Sequence, residues 1–357
     1  MRRSNWPDTI RTIIISIFVG AVSGVLATAL TTMYLYNYAT ELNEQTSPLQ
    51  LSQVRPFVFP STYTESLDKV STNVFPASVE IFVQNQQTSS YQGAILTSDG
   101  WLISVIPVSY QARALQAKIG SKLYPVERIV ADTISPIVFL KINANNLPVI
   151  AFGNGIDVQP GQQVFMIATS ESLFFSTVSG QNFAYQNTNS SDIITRQIII
   201  QNDFSSIKEG AVVVNMASEM VGIVIGKKDQ QTIVVPVDTV LPAFTSLLKS
   251  DVISRPSIGV KGTSLSQALN ISEEVSRGRS HGVVLIGSNS VIYNSPAYKA
   301  GIREGDILLS INGEAINAHR TLPELLNKYL PNDTIVITID HAGEQIDIQV
   351  TLGEYKK

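Results

Sequence analysis

The sequence predicts a mainly β chain of two folded modules behind an apolar amino-terminal segment. Three observations carry this expectation. Short apolar runs recur through residues 66–245, each bounded by Gly, Asn, Asp, Ser or Pro, which is how the strands of a barrel or sandwich read. After "DVISRP" the pattern changes, and strand-like and helix-like stretches mix as they do in a small α+β domain of about 100 residues. Ahead of both lies "IIISIFVGAVSGVLATALTTMYLY", residues 13–36, without a charge.

The elements follow in chain order. Residues 1–12 carry Arg2, Arg3 and Arg11, and Glu41 and Glu44 lie beyond the apolar run. A run of this kind exceeds the roughly 20 residues that cross a bilayer as a helix, and the arginine bias predicts the amino terminus inside and the bulk of the chain outside the cytoplasm. Trp6 and Tyr34, Tyr36 and Tyr38 suit the two interfaces. Ala27-Thr28-Ala29 resembles a signal-peptide cleavage site, but the apolar run continues past it, so an anchor is expected. Residues 37–65 are polar with three prolines and read as a tether. Residues 66–250 form the first module, from "ASVEIFVQN" through "QTIVVPV", closed by a helix over 238–250 with Pro242 early in it. Residues 256–353 form the second module.

Composition narrows the function. The 357 residues are 44% hydrophobic and 15% charged, with a net charge of −4 and no basic stripe, so nucleic-acid binding is not expected. The absence of cysteine removes disulfides, thiolate zinc sites and a cysteine nucleophile. No His/Asp/Glu grouping has metal-ligand spacing, so neither a metal nor another cofactor is expected.

In residues 66–245 the phrases "GAILTSDGWLIS", "LKINANNLPVIAFGNGIDVQPGQQVFMIATS", "TVSGQ", "IIIQND" and "VVNMASEMVGIVIG" occur in order. In this series the module resembles the trypsin-like double β-barrel of the HtrA proteases. The order of anchor, protease domain and single carboxy-terminal module is similar to that of the membrane-tethered DegS-type proteases. Catalysis in that family requires a serine nucleophile, a histidine base and an orienting aspartate. Carried over residue by residue, the histidine position after "GWLISVI" is Pro107, the aspartate position before "IVFLKI" is Pro136, and the serine position in "IKEGAVVVN" is Glu209. The first glycine of the serine motif falls on Ile207. The chain has three histidines, His281, His319 and His341, all in the second module. A triad inside the barrels therefore has no imidazole of its own. Ser205 and Ser206 beside Lys208 offer a Ser–Lys alternative, but nothing in this polar stretch predicts the burial that would depress the lysine pKa, and Glu209 opposes a developing oxyanion. Asp132 and Asp203 match structural positions of the family.

The second module resembles an HtrA-class PDZ domain through "SIGVKG", "NSPAYKAGIREGDILLSINGEAI", "TLPELLNKYL", "TIVITI" and "IQVTLGEY". The resemblance implies that a peptide adds as a strand and that backbone N–H groups hold its terminal carboxylate. Ile258, Gly259 and Val260 match the carboxylate loop, with Gly259 allowing close backbone approach. Leu325, Leu326 and Leu330 on the facing helix are either groove wall or core. Arg303 is either a partner for an acidic group or a solvated turn residue.

The expected protein is therefore a membrane-tethered pseudoprotease of the bacterial inner membrane. It would bind carboxy-terminal peptides of unfolded or envelope proteins and act as adaptor, sensor or regulator in quality control. The resemblance implies a homotrimer, or a mixed trimer with an active paralogue, with Phe57, Phe59 and Tyr63 as candidate contacts. The alternatives are an active serine endopeptidase with a non-standard site and a structural PDZ dock in an envelope assembly.

Overall fold

A computed structural model describes residues 63–355 apart from 85, 170, 184–189, 202–203 and 269–270, together with residues 16, 19, 21–24 and 28. Met1–Arg55 and Pro56–Lys357 are separate compact units. In the first, the described residues are helical, and Thr28 Oγ1 donates to the Gly24 carbonyl at 2.8 Å. Among the described residues no helix is long and apolar enough to cross a membrane. Most of the expected anchor over 13–36 lies outside them, as do Phe57, Phe59, Asp203 and the tether up to residue 62.

The second unit begins with helix α1 (Tyr63–Lys69), which starts inside the expected tether. Tyr63 packs on this chain's own Phe165 and Phe175, at ring-centroid distances of 5.8 and 5.1 Å. Six strands follow: β1 (Ser78–Val83), β2 (Tyr91–Ile95), β3 (Trp101–Val105), β4 (Leu115–Ile119), β5 (Lys122–Ala131) and β6 (Ile137–Ile142). They close a barrel in the order β1-β2-β3-β6-β5-β4. A second barrel, in the order β10-β11-β12-β9-β8-β7, is built from β7 (Gln163–Thr169), β8 (Ser172–Phe183), β9 (Arg196–Gln201), β10 (Val212–Val214), β11 (Met220–Lys228) and β12 (Gln231–Pro236).

The period of two along each strand explains why the barrel sequences read as continuous apolar runs. On β3 and β6, Leu102, Val138, Leu140 and Ile142 fill the first barrel. The alternating Trp101, Ile103, Val105, Ile137 and Phe139 face outward into a seam shared with Phe165, Ile167, Val212, Val214 and Ile223 of the second. Helix α2 (Val237–Ser250) closes the seam, with Phe244 stacked 5.3 Å from Phe139 and edge-on to Trp101 at 6.3 Å.

The remaining elements are β13 (Pro256–Ser257), β14 (Thr263–Ser264), α3 (Glu273–Ser276), β15 (Val283–Val284), α4 (Pro296–Ala300), β16 (Ile307–Ile311), β17 (Glu314–Ala315), α5 (Leu322–Leu326), β18 (Thr334–His341), β19 (Glu344–Thr351) and β20 (Gly353–Glu354). Their sheet runs β14-β15-β16-β18-β19, with β17 on β16 and a separate β13–β20 pair. The charged stretch "ISEEVSRGRS" supports only the single turn of α3, because Arg277 and Gly278 turn left-handed at φ 52° and 72°.

Two buried arginines fix this module against the barrels. Arg255, in the connection after α2, donates to both carboxylate oxygens of Asp132 at 3.2 and 2.6 Å, to the Thr239 carbonyl, and to Asn327 Oδ1 at 2.5 Å. Arg196 at the start of β9 binds both oxygens of Glu324 on α5 and the Ala318 carbonyl. Pro242 has no N–H to offer the Asp238 carbonyl one turn back in α2, and Asn327 Nδ2 approaches that carbonyl at 3.4 Å instead. Asp132 thus has the structural role expected from sequence. Arg255→Ala leaves its carboxylate buried and uncompensated, which costs about 3–5 kcal/mol. A loss of that size is expected in denaturant unfolding, with a smaller loss for the double variant Asp132→Asn/Arg255→Met.

Candidate functional site: the barrel mouth and the carboxylate loop

Pro107, Pro136 and Glu209 gather at one mouth of the first barrel. Val105 and Ile137 are paired at the end of the β3–β6 ladder, so Pro107 lies two residues past one and Pro136 one residue before the other. Both prolines are exposed, and neither has a proton to exchange or a charge to orient one. The exposed Glu209 is held there by its backbone, whose carbonyl accepts from Gln92 N–H of β2 at 2.9 Å.

The turn carrying Glu209 is fastened from below. Ile207 is 1% exposed and belongs to the core of the second barrel. Its N–H donates to the Phe204 carbonyl at 3.0 Å, and Lys208 N–H donates to Gln92 Oε1 at 3.2 Å. These N–H groups are used within the fold, not aimed outward to stabilise an oxyanion. Gly210 has φ 85°, and a Cβ there would strike the Gln92 carbonyl oxygen and come within 2.7 Å of Ser104 Oγ, so only glycine passes. Lys208 Nζ reaches the Ser89 carbonyl and, at 3.0 Å, Ser89 Oγ. The ammonium is engaged by the β1–β2 loop, whereas Ser205 and Ser206 are exposed in the turn.

Sequence reading missed Gln92, the hub of this arrangement. It is 4% exposed, its carbonyl accepts from Ser104 Oγ at 2.6 Å, and its Nε2 donates to the Ala168 carbonyl of β7. The signal available was one amide side chain inside the apolar run "YQGAILTS". Tyr91 and Tyr110 also lie at this mouth, edge to face at 6.1 Å, with Tyr110 N–H donating to the Pro107 carbonyl at 3.2 Å. Burial pushes the Tyr91 phenol up to about 12, helped by its hydrogen bond with Tyr110 and by the charges of Tyr110 and Glu209.

In the second module Ile258 and Val260 are fully buried, and Gly259 sits between them at φ 72°. The nearest obstacle to a Cβ on Gly259 is Ser295 at the start of α4, 2.5 Å away. Packing inside the domain, together with the positive φ, therefore requires glycine at this position. Ile258 N–H donates to Asp192 Oδ1 at 3.1 Å, Gly259 N lies 3.5 Å from the same oxygen, and Val260 N–H donates to Ser191 Oγ at 3.2 Å. Leu325 and Leu326 are each 1% exposed in the domain core, and Leu326 also borders a crevice with Ile194, Pro323 and Asn327. Leu330 is half-buried. Arg303 caps its own helix, donating to the carbonyls of Tyr298 and Ile302 and lying 4.6 Å above the Tyr298 ring. His341 Nδ1 contacts Asp306 at 2.7 Å and His319 is exposed. Among the described residues no group of three or more His, Asp or Glu side chains could hold a metal ion.

Because the folded Tyr91 phenol binds its proton more tightly than an ordinary tyrosine at 10.0, its contribution to stability is whole below pH 10 and is lost as pH rises through about 12. A phenolate absorbance titration is expected to show a late-ionising tyrosine that disappears in Tyr91→Phe.

Residues 256–352 match the PDZ domain family. The chain is 23% identical over 277 residues to a DegP-like periplasmic serine endoprotease of Halomonas elongata, covering 76% of this chain and 57% of that protein. It thus spans little more than half the length of such relatives. It is 24% identical over 290 residues to the serine endoprotease DegS of Haemophilus influenzae, covering 78% and 81%. Among solved structures, the HtrA-type protease AlgW with a tripeptide superposes at a TM-score of 0.60 and 18% identity, over 82% of this chain and 98% of that one. AlgW with a decapeptide gives 0.58 and 16%, over 82% and 99%. At such identities the structural likeness speaks to fold. With two six-stranded barrels, a matched PDZ domain and DegP- and DegS-type relatives at 23–24% identity, the chain is similar in fold and in sequence to the HtrA-type proteases.

Proposed function

We propose that this chain is a proteolytically inactive HtrA-family protein that holds carboxy-terminal peptides of unfolded or envelope proteins through its PDZ domain. It serves as adaptor, sensor or regulator in protein quality control. One observation carries the reading: the positions matched to the catalytic histidine, aspartate and serine are Pro107, Pro136 and Glu209, and no histidine precedes His281. Without a base, a hydroxyl cannot be activated for attack on a carbonyl. The fastened 204–210 turn supports the same reading, since its Ile207 N–H is committed to the fold.

In this reading residues 13–36 anchor the chain in the bacterial inner membrane with its bulk outside the cytoplasm. The barrels assemble as a homotrimer or join an active paralogue. Residues 258–260 receive the peptide carboxylate, and α5 borders the groove.

A second reading, an endopeptidase with a Ser–Lys site, is favoured by the 3.0 Å approach of Lys208 Nζ to Ser89 Oγ. It fares less well because the same Lys208 Nζ also donates to the Ser89 carbonyl, so it is shared with backbone and not directed at the hydroxyl alone.

A serine-reactive phosphonate is expected to leave the purified chain unlabelled, and an unfolded protein substrate to remain intact. Labelling at Ser89, Ser205 or Ser206 that is lost in the matching Ser→Ala variant would reverse the assignment. A peptide with an apolar last residue is expected to bind with its free carboxylate and to lose binding on amidation, as read by fluorescence anisotropy.

A further inference from the structure

The matched carboxylate loop is already in contact with a carboxylate of the same chain. Asp192, in the connection between β8 and β9, is 9% exposed and Ser191 is 1% exposed. Asp192 Oδ1 accepts from Ile258 N–H at 3.1 Å, and Oδ2 accepts from the Ser257 hydroxyl at 2.7 Å. The Ser191 hydroxyl donates to Asp192 Oδ1 at 2.6 Å while accepting from Val260 N–H.

The backbone completes the likeness to a bound peptide. Ser191 N–H donates to the Val260 carbonyl at 2.9 Å, and Ser190 forms an antiparallel bridge with Lys261. On its other edge the same strand is paired within the domain, through Lys261 N–H to the Ser290 carbonyl and Ile292 N–H to the Gly259 carbonyl. Residues 190–192 thus add a strand antiparallel to 258–261 and present a carboxylate to the N–H groups at its end. Strand addition with a carboxylate at the loop is how a carboxy-terminal peptide is recognised. Four residues further on, the Arg196–Glu324 pair pins the following backbone to α5.

We propose that residues 190–192 are an internal ligand of the PDZ domain, with the Asp192 side chain standing in for a terminal carboxylate. A peptide reaches the loop only by displacing them. The identity of the site rests on the peptide-capture reading above; occupancy by residues 190–192 is the new element. The chemical class of the competing partner follows: a chain end with a free carboxylate that reproduces both the backbone pairing of Ser191 and the charge of Asp192.

Two measurements on the full chain test this. Fluorescent peptides ending in Val, Leu or Phe are titrated into wild type, Asp192→Ala and Asp192→Asn. Amide hydrogen exchange is followed over 257–261 in the same three proteins, with thermal unfolding as the check that each is folded. The expected result is peptide binding about tenfold tighter in both variants, because the competent fraction rises, with faster exchange at Ile258 and Val260. Unchanged exchange in folded variants overturns the proposal, as does equal peptide affinity across all three. Faster exchange in the variants with no peptide bound by any of the proteins keeps the internal ligand and discards peptide capture.

Discussion

The architecture depends on two guanidinium groups that have left water. Arg196 and Arg255 are 4% and 2% exposed, and their carboxylate partners Glu324 and Asp132 are buried too, at 6% and 8%. A buried charge with a missing partner is far more costly than a buried pair, so these contacts form together or not at all. Each links a barrel to α5 or to Asn327, the residue that caps it. That helix is therefore placed by the barrels as well as by its own domain. Asp132 also accepts from Ser135, which shapes the short turn carrying Pro136. The barrel mouth and the PDZ domain are thus joined by one run of polar contacts.

The barrel mouth rests on a scaffold that does not depend on the residues at its rim. Its strands are fixed by apolar residues on both faces, the barrel interior and the seam, and none of these is a catalytic group. The polar interactions that remain have been turned inward. Ser104 and Lys208 both bond to Gln92, and Gly210 packs against the Gln92 carbonyl while its N–H donates to the Val224 carbonyl, so these donors are used within the fold. Tyr91 keeps its proton well beyond neutral pH, which adds a polar but uncharged group to the rim.

What was legible in the sequence follows from the range of the interaction. The barrels were readable because strands such as "WLISV" and "IVFLKI" bury both faces and so show as continuous apolar runs. The PDZ domain was readable from the local punctuation of "SPAYKAGIREGDILLSING", where Ser295 caps α4 and Gly301 ends it. Long-range polar pairing left no such trace. Gln92 meets Lys208 across 116 positions and Asp192 meets Ile258 across 66, and no spacing rule connects them. The leucines of α5 could not be divided between core and groove, because an apolar residue on a short helix reads alike in both; packing places Leu325 and Leu326 in the core. Gly259 was legible as a special position, but its reason, the closeness of Ser295, required the fold.

An occupant carried on the same chain as its receptor does not dilute. Held by a short connection, it faces the loop at an effective concentration on the order of millimolar, against which a dissolved peptide at ordinary abundance competes poorly. Such a domain would ignore scattered chain ends and answer only to many presented at once, or to one delivered by a partner already docked elsewhere on the molecule. The side chain of Asp192 would then set a threshold for response instead of an affinity.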